Sequence, residues 1–260
     1  MKKIRSRLFP LLGTILILAG CAAPRKTENE RTETTPLPQE SEPPVEPAVT
    51  EEPAAEESFP TLLYQGHASL RITTSDGKVI YIDPYAGEGY GEAADLILIT
   101  HGHYDHNNPD LVTDRNEDCQ IITWREALEN GTHNSFDLGY VSIESLEAAN
   151  ANHSPSECVG YLLTFPGQCR IYISGDTSKT EEMKELAGKD IDYAFFCCDG
   201  IYNMSPQEAG ECAALLQAAH SIPYHVSDAG AGFSRANAEA FEAEGRIILA
   251  PGDTLEMKKE

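Results

Sequence analysis

Ala94-Asp95-Leu96-Ile97-Leu98-Ile99-Thr100-His101-Gly102-His103-Tyr104-Asp105-His106 decides how the rest of this chain is read. The apolar run Leu96 to Ile99 has the length and branching of a buried strand, and His101, His103, Asp105 and His106 follow it directly. His101 and His103 stand two apart, so in an extended segment they project to the same side and can grip one cation. Asp105 and His106 are adjacent and cannot share a strand face, but where the chain turns they can face a second cation nearby. The zincin helix is excluded, because it needs histidines four apart on one helical face. The stretch therefore predicts a strand that delivers a two-metal loop.

Upstream, Lys2, Lys3, Arg5 and Arg7 precede an apolar segment, Leu8 to Leu18, that is short for a membrane span. Leu18-Ala19-Gly20-Cys21 resembles the lipobox of bacterial lipoproteins, which implies a signal peptide over residues 1–21 and lipidation of Cys21. A membrane partner, reached through that lipid, and a location outside the cytoplasm follow from the resemblance. Residues 22–58 are rich in Glu, Pro, Thr and Ala and poor in large apolar side chains, so they predict a disordered acidic tether.

Residues 59–260 are long enough for one domain with a sizeable core. They hold 32 Asp and Glu against 12 Lys and Arg, a formal charge of −20. A surface of that sign repels phosphate backbones, which argues against nucleic acid as a partner. Apart from Cys21 the chain has six cysteines, and none is spaced as a zinc Cys-x-x-Cys unit. Cys197 and Cys198 continue the apolar run Tyr193 to Phe196 and read as small core residues; no structural disulfide is expected.

Along the domain, Leu62 to Ile72 and Lys78 to Asp83 read as strands joined by a turn at Asp76-Gly77. Further strands are expected at Gln120–Trp124, Tyr140–Leu146, Val159–Phe165, Arg170–Ile173, Ala194–Cys198, 221–226, Arg246–Ala250 and Thr254–Met257. Helices are expected at 125–129, 181–187, 236–244 and from Pro206 to about Ala219, the last behind the capping box Ser205-Pro206-Gln207-Glu208. Asp176 follows a strand beside Gly175, a common site position. Hairpins in the first half and strand–helix alternation in the second predict an α/β fold of two packed mixed sheets with helices outside.

In order and spacing, His101-x-His103-x-Asp105-His106, His153, Gly175-Asp176-Thr177 and Pro223-Tyr224-His225 resemble the metallo-β-lactamase superfamily, whose fold is an αββα sandwich. Gly66-His67-Ala68-Ser69, Ile82-Asp83-Pro84 and Val159-Gly160-Tyr161 are most similar to its small single-domain branch that includes ascorbate-6-phosphate lactonase. The resemblance implies His101, His103 and His153 on a first metal, Asp105, His106 and His225 on a second, and Asp176 between them. It implies two divalent ions, zinc first, with manganese or iron compatible with the same donors. A hydroxide bridging them, oriented by Asp105 as catalytic residue, would attack a small ester, lactone, amide or phosphodiester. His67 and Asp83 are expected to orient the ligands, and Tyr202 and Met204 to line the substrate pocket. The alternative is a non-catalytic surface lipoprotein that keeps the fold as a binding module. Oligomeric state is not legible.

Overall fold

The computed structural model describes residues 58–227 and 230–259. The expected signal peptide, Cys21 and the expected tether up to residue 57 lie outside the described residues.

Six strands form the first sheet: β1 (Thr61–Gly66), β2 (Ser69–Thr73), β3 (Val79–Ile82), β4 (Ala94–Ile99), β5 (Arg115–Thr123) and β12 (Thr254–Glu256). Their order is β12-β1-β2-β3-β4-β5, with β3, β4 and β5 parallel. The second sheet contains β6 (Ser135–Asp137), β7 (Ser142–Glu147), β8 (Val159–Thr164), β9 (Arg170–Ile173), β10 (Tyr193–Cys197) and β11 (His220–Tyr224). It runs β11-β10-β9-β8-β7-β6, with β9, β10 and β11 parallel. The helices are short: α1 (Trp124–Ala127), α2 (Glu182–Leu186), α3 (Pro206–Leu216) and α4 (Arg235–Ala240). Apolar residues of both sheets belong to one core cluster. The result is the two-sheet α/β arrangement expected of the sandwich.

β4 is buried along its whole length, as a strand flanked by two parallel neighbours must be, and is apolar apart from Asp95. Beyond its end, Tyr161 Oη donates to the Ile99 carbonyl at 2.9 Å, Val159 N–H donates to the Thr100 carbonyl at 3.0 Å, and His101 forms a bridge with Cys158. These links hold the end of β4 against the second sheet.

Local readings are corrected in several places. Leu62 to Ile72 is two antiparallel strands, because Gly66 (φ 131°) and His67 (φ 53°) turn the chain between them. Residues 246–250 form no strand; only Arg246 bridges, to Ser221. β6 was not foreseen, since its three residues carry no alternation that stands out. α3 stops at Leu216, ahead of the expected end, because Gln217 turns left-handed at φ 58°.

Candidate metal centre

The centre lies where the parallel strands of both sheets end. β3 leads to Asp83, β4 to His101–His106, β9 to Asp176, β10 to Asp199 and β11 to His225, while His153 comes from the loop between β7 and β8. Gly175 makes the approach to Asp176 possible: its φ is 61°, and a Cβ there would lie 2.4 Å from the Val159 carbonyl oxygen.

Asp176 is the hub. One carboxylate oxygen lies 3.4 Å from His153 Nε2, 3.5 Å from His225 Nε2 and 3.9 Å from His101 Nε2, and the other lies 3.5 Å from His106 Nε2. On one side, donor atoms of His101, His103 and His153 lie within 4.8 Å of one another; on the other, those of His67, Asp105, His106 and His225 do the same. Every ligand position expected from the sequence thus falls in one cluster around Asp176.

Three of the far ring nitrogens are tied down. His106 Nδ1 donates to Asp83 Oδ2 at 2.8 Å, and His153 Nδ1 donates to Asn150 Oδ1 at 2.9 Å. Thr100 Oγ1 donates to Asp83 Oδ2 at 2.6 Å, so it accepts from His101 Nδ1 at 3.1 Å. In each case the proton is fixed on Nδ1 and the Nε2 lone pair is turned inward. His101 Nε2, His106 Nε2 and Asp176 Oδ1 are buried and have no hydrogen-bond partner among the described residues. Buried polar atoms left this way call for an unseen partner. A divalent cation with nitrogen and oxygen ligands fits this donor set.

Charge follows the same geometry. Burial, together with the neighbouring His106, pushes His101 down to about 2, and burial pushes His225 down to about 4. His106 is likewise buried, yet the carboxylates of Asp176 and Asp83 outweigh that and raise it. Burial disfavours the Asp176 carboxylate, but His106, His225 and His101 hold it well below the usual carboxylate range. For Asp105, burial is outweighed by the hydrogen bond with His67, whose Nε2 lies 3.3 Å from Asp105 Oδ2.

Backbone strain collects here as well. His67, Asp83 and His225 have φ of 53°, 46° and 45°, in the left-handed region that non-glycine residues rarely adopt. Such conformations cost roughly 1–3 kcal/mol each and persist where surrounding structure enforces them. His225 N–H donates to the His67 carbonyl at 2.8 Å, so two of the three strained residues hold each other.

A cleft of about 350 Å³ opens over the cluster and is lined by His67, Tyr104, Asp105, His153, Tyr202 and His225 among others. Tyr202 is exposed there, at 54%. Met204, expected in the pocket, is fully buried in the core and cannot touch a substrate; its apolar side chain is used as packing beneath the 200–204 loop.

Several supporting residues escaped the sequence reading. Asp199 Oδ2 sits 3.5 Å from His225 Nδ1, while its Oδ1 accepts from the N–H groups of Ile201 and Tyr202 at 2.8 and 2.7 Å. Asp199 follows β10 and precedes Gly200, the same acid-and-glycine signal at a strand end that singled out Asp176. Asn150 and Asn152 both donate to the Tyr202 carbonyl, at 3.1 and 2.9 Å, and so couple the His153 loop to the cleft wall. Thr100 and Asn150 carry no sequence signal beyond their nearness to a ligand.

Known proteins resemble this chain in sequence and in fold. The model for the β-lactamase superfamily domain matches residues 61–225. A UPF0173 metal-dependent hydrolase of Rubrobacter xylanophilus is 29% identical over 75% of this chain and 95% of its own length, and one of Lysinibacillus sphaericus is 30% identical over 63% and 84%. The crystal structure of a Parabacteroides distasonis protein described as a metal-dependent hydrolase matches with a TM-score of 0.60 at 29% identity, over 73% of this chain and 91% of that one. Igni18, a metallo hydrolase from Ignicoccus hospitalis, shares the fold with a TM-score of 0.60 at 19% identity, over 78% and 100%. With a His/Asp cluster able to hold metal ions at the ends of its parallel strands, this chain belongs to the metallo-β-lactamase superfamily and is a metal-dependent hydrolase of its UPF0173 family.

Proposed function

We propose that the protein hydrolyses a small ester, lactone, amide or phosphodiester with two divalent cations, zinc first among them. His101, His103 and His153 would hold one and Asp105, His106 and His225 the other, with Asp176 shared. The observation that carries this reading is the Asp176 carboxylate, within 3.4–3.9 Å of four Nε2 atoms that reach it from three separate segments. Isolated ion pairing does not explain it, because His101 and His225 are buried where the neutral ring is favoured.

Cations held there supply Lewis acidity toward a substrate oxygen and lower the pKa of water. The chain's own residues do the rest. Asp105, ionised and held by His67, is the proton acceptor and orienting group at the cleft floor. Asp83, Thr100 and Asn150 fix ring orientation, so little reorganisation accompanies the reaction. Tyr104 and Tyr202 give the cleft mouth an aromatic wall for the substrate body. A lactone is the first substrate class to try, from the likeness of Gly66–Ser69 and Ile82–Pro84 to the lactonase branch.

Replacing Asp176 with Ala should remove bound metal and lower kcat/KM on a responsive ester or lactone on the order of 10³-fold or more, as for loss of a principal electrostatic group. Unchanged turnover with metal content intact would refute the shared-carboxylate mechanism. We further propose that the enzyme works outside the cytoplasm on a lipid anchor at Cys21, which the lipobox-like Leu18-Ala19-Gly20-Cys21 supports. Fatty-acid labelling of the full chain in a bacterial host should be lost in Cys21→Ser; persistent labelling would refute the anchor.

A further inference from the structure

A second cleft, of about 580 Å³, opens on the other flank of His101, His103 and His153, with Trp124 and Arg125 in its wall. His103, Asn152 and His153 border both clefts, so a molecule reacting over those histidines can extend either way. The walls differ in chemistry: the first presents Tyr104 and Tyr202, the second a guanidinium.

Among the described residues, the other arginines have their guanidinium groups engaged within the fold. Arg71 and Arg235 pair with Glu92 and Glu239, while Arg115, Arg170 and Arg246 donate to backbone carbonyls. Arg125 instead lies over the Trp124 ring, 4.1 Å from its centroid, with its N–H donors left for solvent. Glu157 lines the same cleft but makes no ion pair with it. The platform is fixed. Trp124 is 7% exposed, and Gly102 gives it room, since a Cβ there would lie 2.8 Å from the ring. The capping box of Thr123 and Glu126 locks the first turn of α1.

We infer that Arg125 is a specificity-determining residue that reads an anionic oxygen group, carboxylate or phosphate, on a substrate whose reacting bond lies over His103 and His153. A planar guanidinium matches such groups with two parallel hydrogen bonds. In a domain of formal charge −20, a cation lining this cleft with no close ion pair is the local exception that draws an anion there, Glu126 being the carboxylate that feels its charge. The inference rests on the hydrolase reading above, but part of its test does not.

Arg125→Met keeps an apolar stem over Trp124 and removes the charge. With 4-nitrophenyl hemisuccinate and the neutral 4-nitrophenyl butyrate as a matched pair, its kcat/KM should fall about tenfold or more on the anionic ester and at least five times less on the neutral one. Equal losses on both esters, or none, overturn the assignment. Trp124 is the chain's one tryptophan, so its emission reports occupancy of this cleft without turnover. Succinate and inorganic phosphate, titrated separately, distinguish carboxylate from phosphate; at least one should give a saturable change that weakens five-fold or more in Arg125→Met. No change in the parent protein, or one unaltered in the variant, overturns it. If neither ester is turned over while the emission difference stands, the choice of reaction fails and the anion site remains.

Discussion

In the loop 101–106 a single buried carboxylate orients two ligand rings, whereas the donors brought by the second sheet are steadied one at a time. Asp83 accepts from the Thr100 N–H, the Thr100 hydroxyl and His106 Nδ1, and through Thr100 it reaches His101. His153 depends on Asn150, three residues back on its own loop, and His225 faces Asp199 at the end of the neighbouring strand. The first arrangement is compact and fails together; the second is spread over two separate connections and degrades piecewise.

Of the residues that orient the ligands, the largest effect should therefore come from Asp83→Asn. Asparagine tolerates the left-handed backbone at this position, so the substitution tests the charge and not the turn. It weakens the acceptor for His106 and Thr100 at once, and metal affinity and kcat/KM should each fall roughly 10–100-fold. Asn150→Ala should cost less, about tenfold, because His153 is the one ligand ring it releases, although the loop's tie to the Tyr202 carbonyl is lost with it. Equilibrium dialysis against a metal buffer reads both. Should Asn150→Ala prove the more damaging, the loop would not be the unit that fails together.

The same contrast sets what the sequence reveals. The loop is legible because a strand, two alternate histidines and an adjacent Asp-His pair stand in one window, and spacing alone carries their geometry. His153, Asp176 and His225 are isolated in sequence, and only their order, matched to a known family, brings them to the loop. The sheets were legible where burial imposes long apolar runs, as in β4 and β10. The turn at Gly66-His67 was hidden, because a histidine at φ 53° looks in sequence like any other strand residue. Asp199 was visible in principle beside Gly200. The Asp83–Thr100 contact, between residues 17 apart, was not. Met204 is a core residue and not a pocket one, because sequence position two residues from an exposed tyrosine says nothing about which side chain turns inward.

Acid should separate the members of the centre in chelator-treated protein. His101 and His225 are pushed down to about 2 and about 4 by burial first, and His153 is lowered for the same leading reason. A histidine with a folded pKa below its unfolded value contributes stability that is complete above pH ~6.5 and drains away as pH falls toward the folded value. His106 has the opposite sign: raised in the fold, its contribution is full below pH ~6.5 and is lost as pH rises through the folded value. Between pH 6.5 and 4.5 the three lowered histidines set the slope, at about 1.4 kcal/mol per pH unit for each proton taken up on unfolding. Urea titrations across that range should show stability falling with acid, and His225→Gln should flatten the slope by up to about 1.4 kcal/mol per pH unit. A slope unchanged in that variant would mean that His225 is not held neutral in the metal-free fold.

The smallest effect is expected at the other end of β4, about 20 Å from His101 at the usual rise per residue. Asp95 is the polar break in that buried strand. Burial works against its charge, but the Val79 N–H at 2.9 Å, the Lys78 ammonium at 3.0 Å and the Asn116 amide at 2.9 Å outweigh it and lower its pKa. Its contribution is therefore present above the unfolded carboxylate pKa and is lost as pH falls through the lower folded value. Asp95→Asn keeps the shape and removes the charge, and should cost about 1 kcal/mol near neutrality, with the Lys78 partner half in solvent. Metal affinity should be unchanged, because Asp83 and Thr100 hold the ligand loop locally at the far end of the strand. A matching loss of metal would show that β4 transmits its register to the loop, and the loop's compact fastening by Asp83 would then be only part of what positions His101.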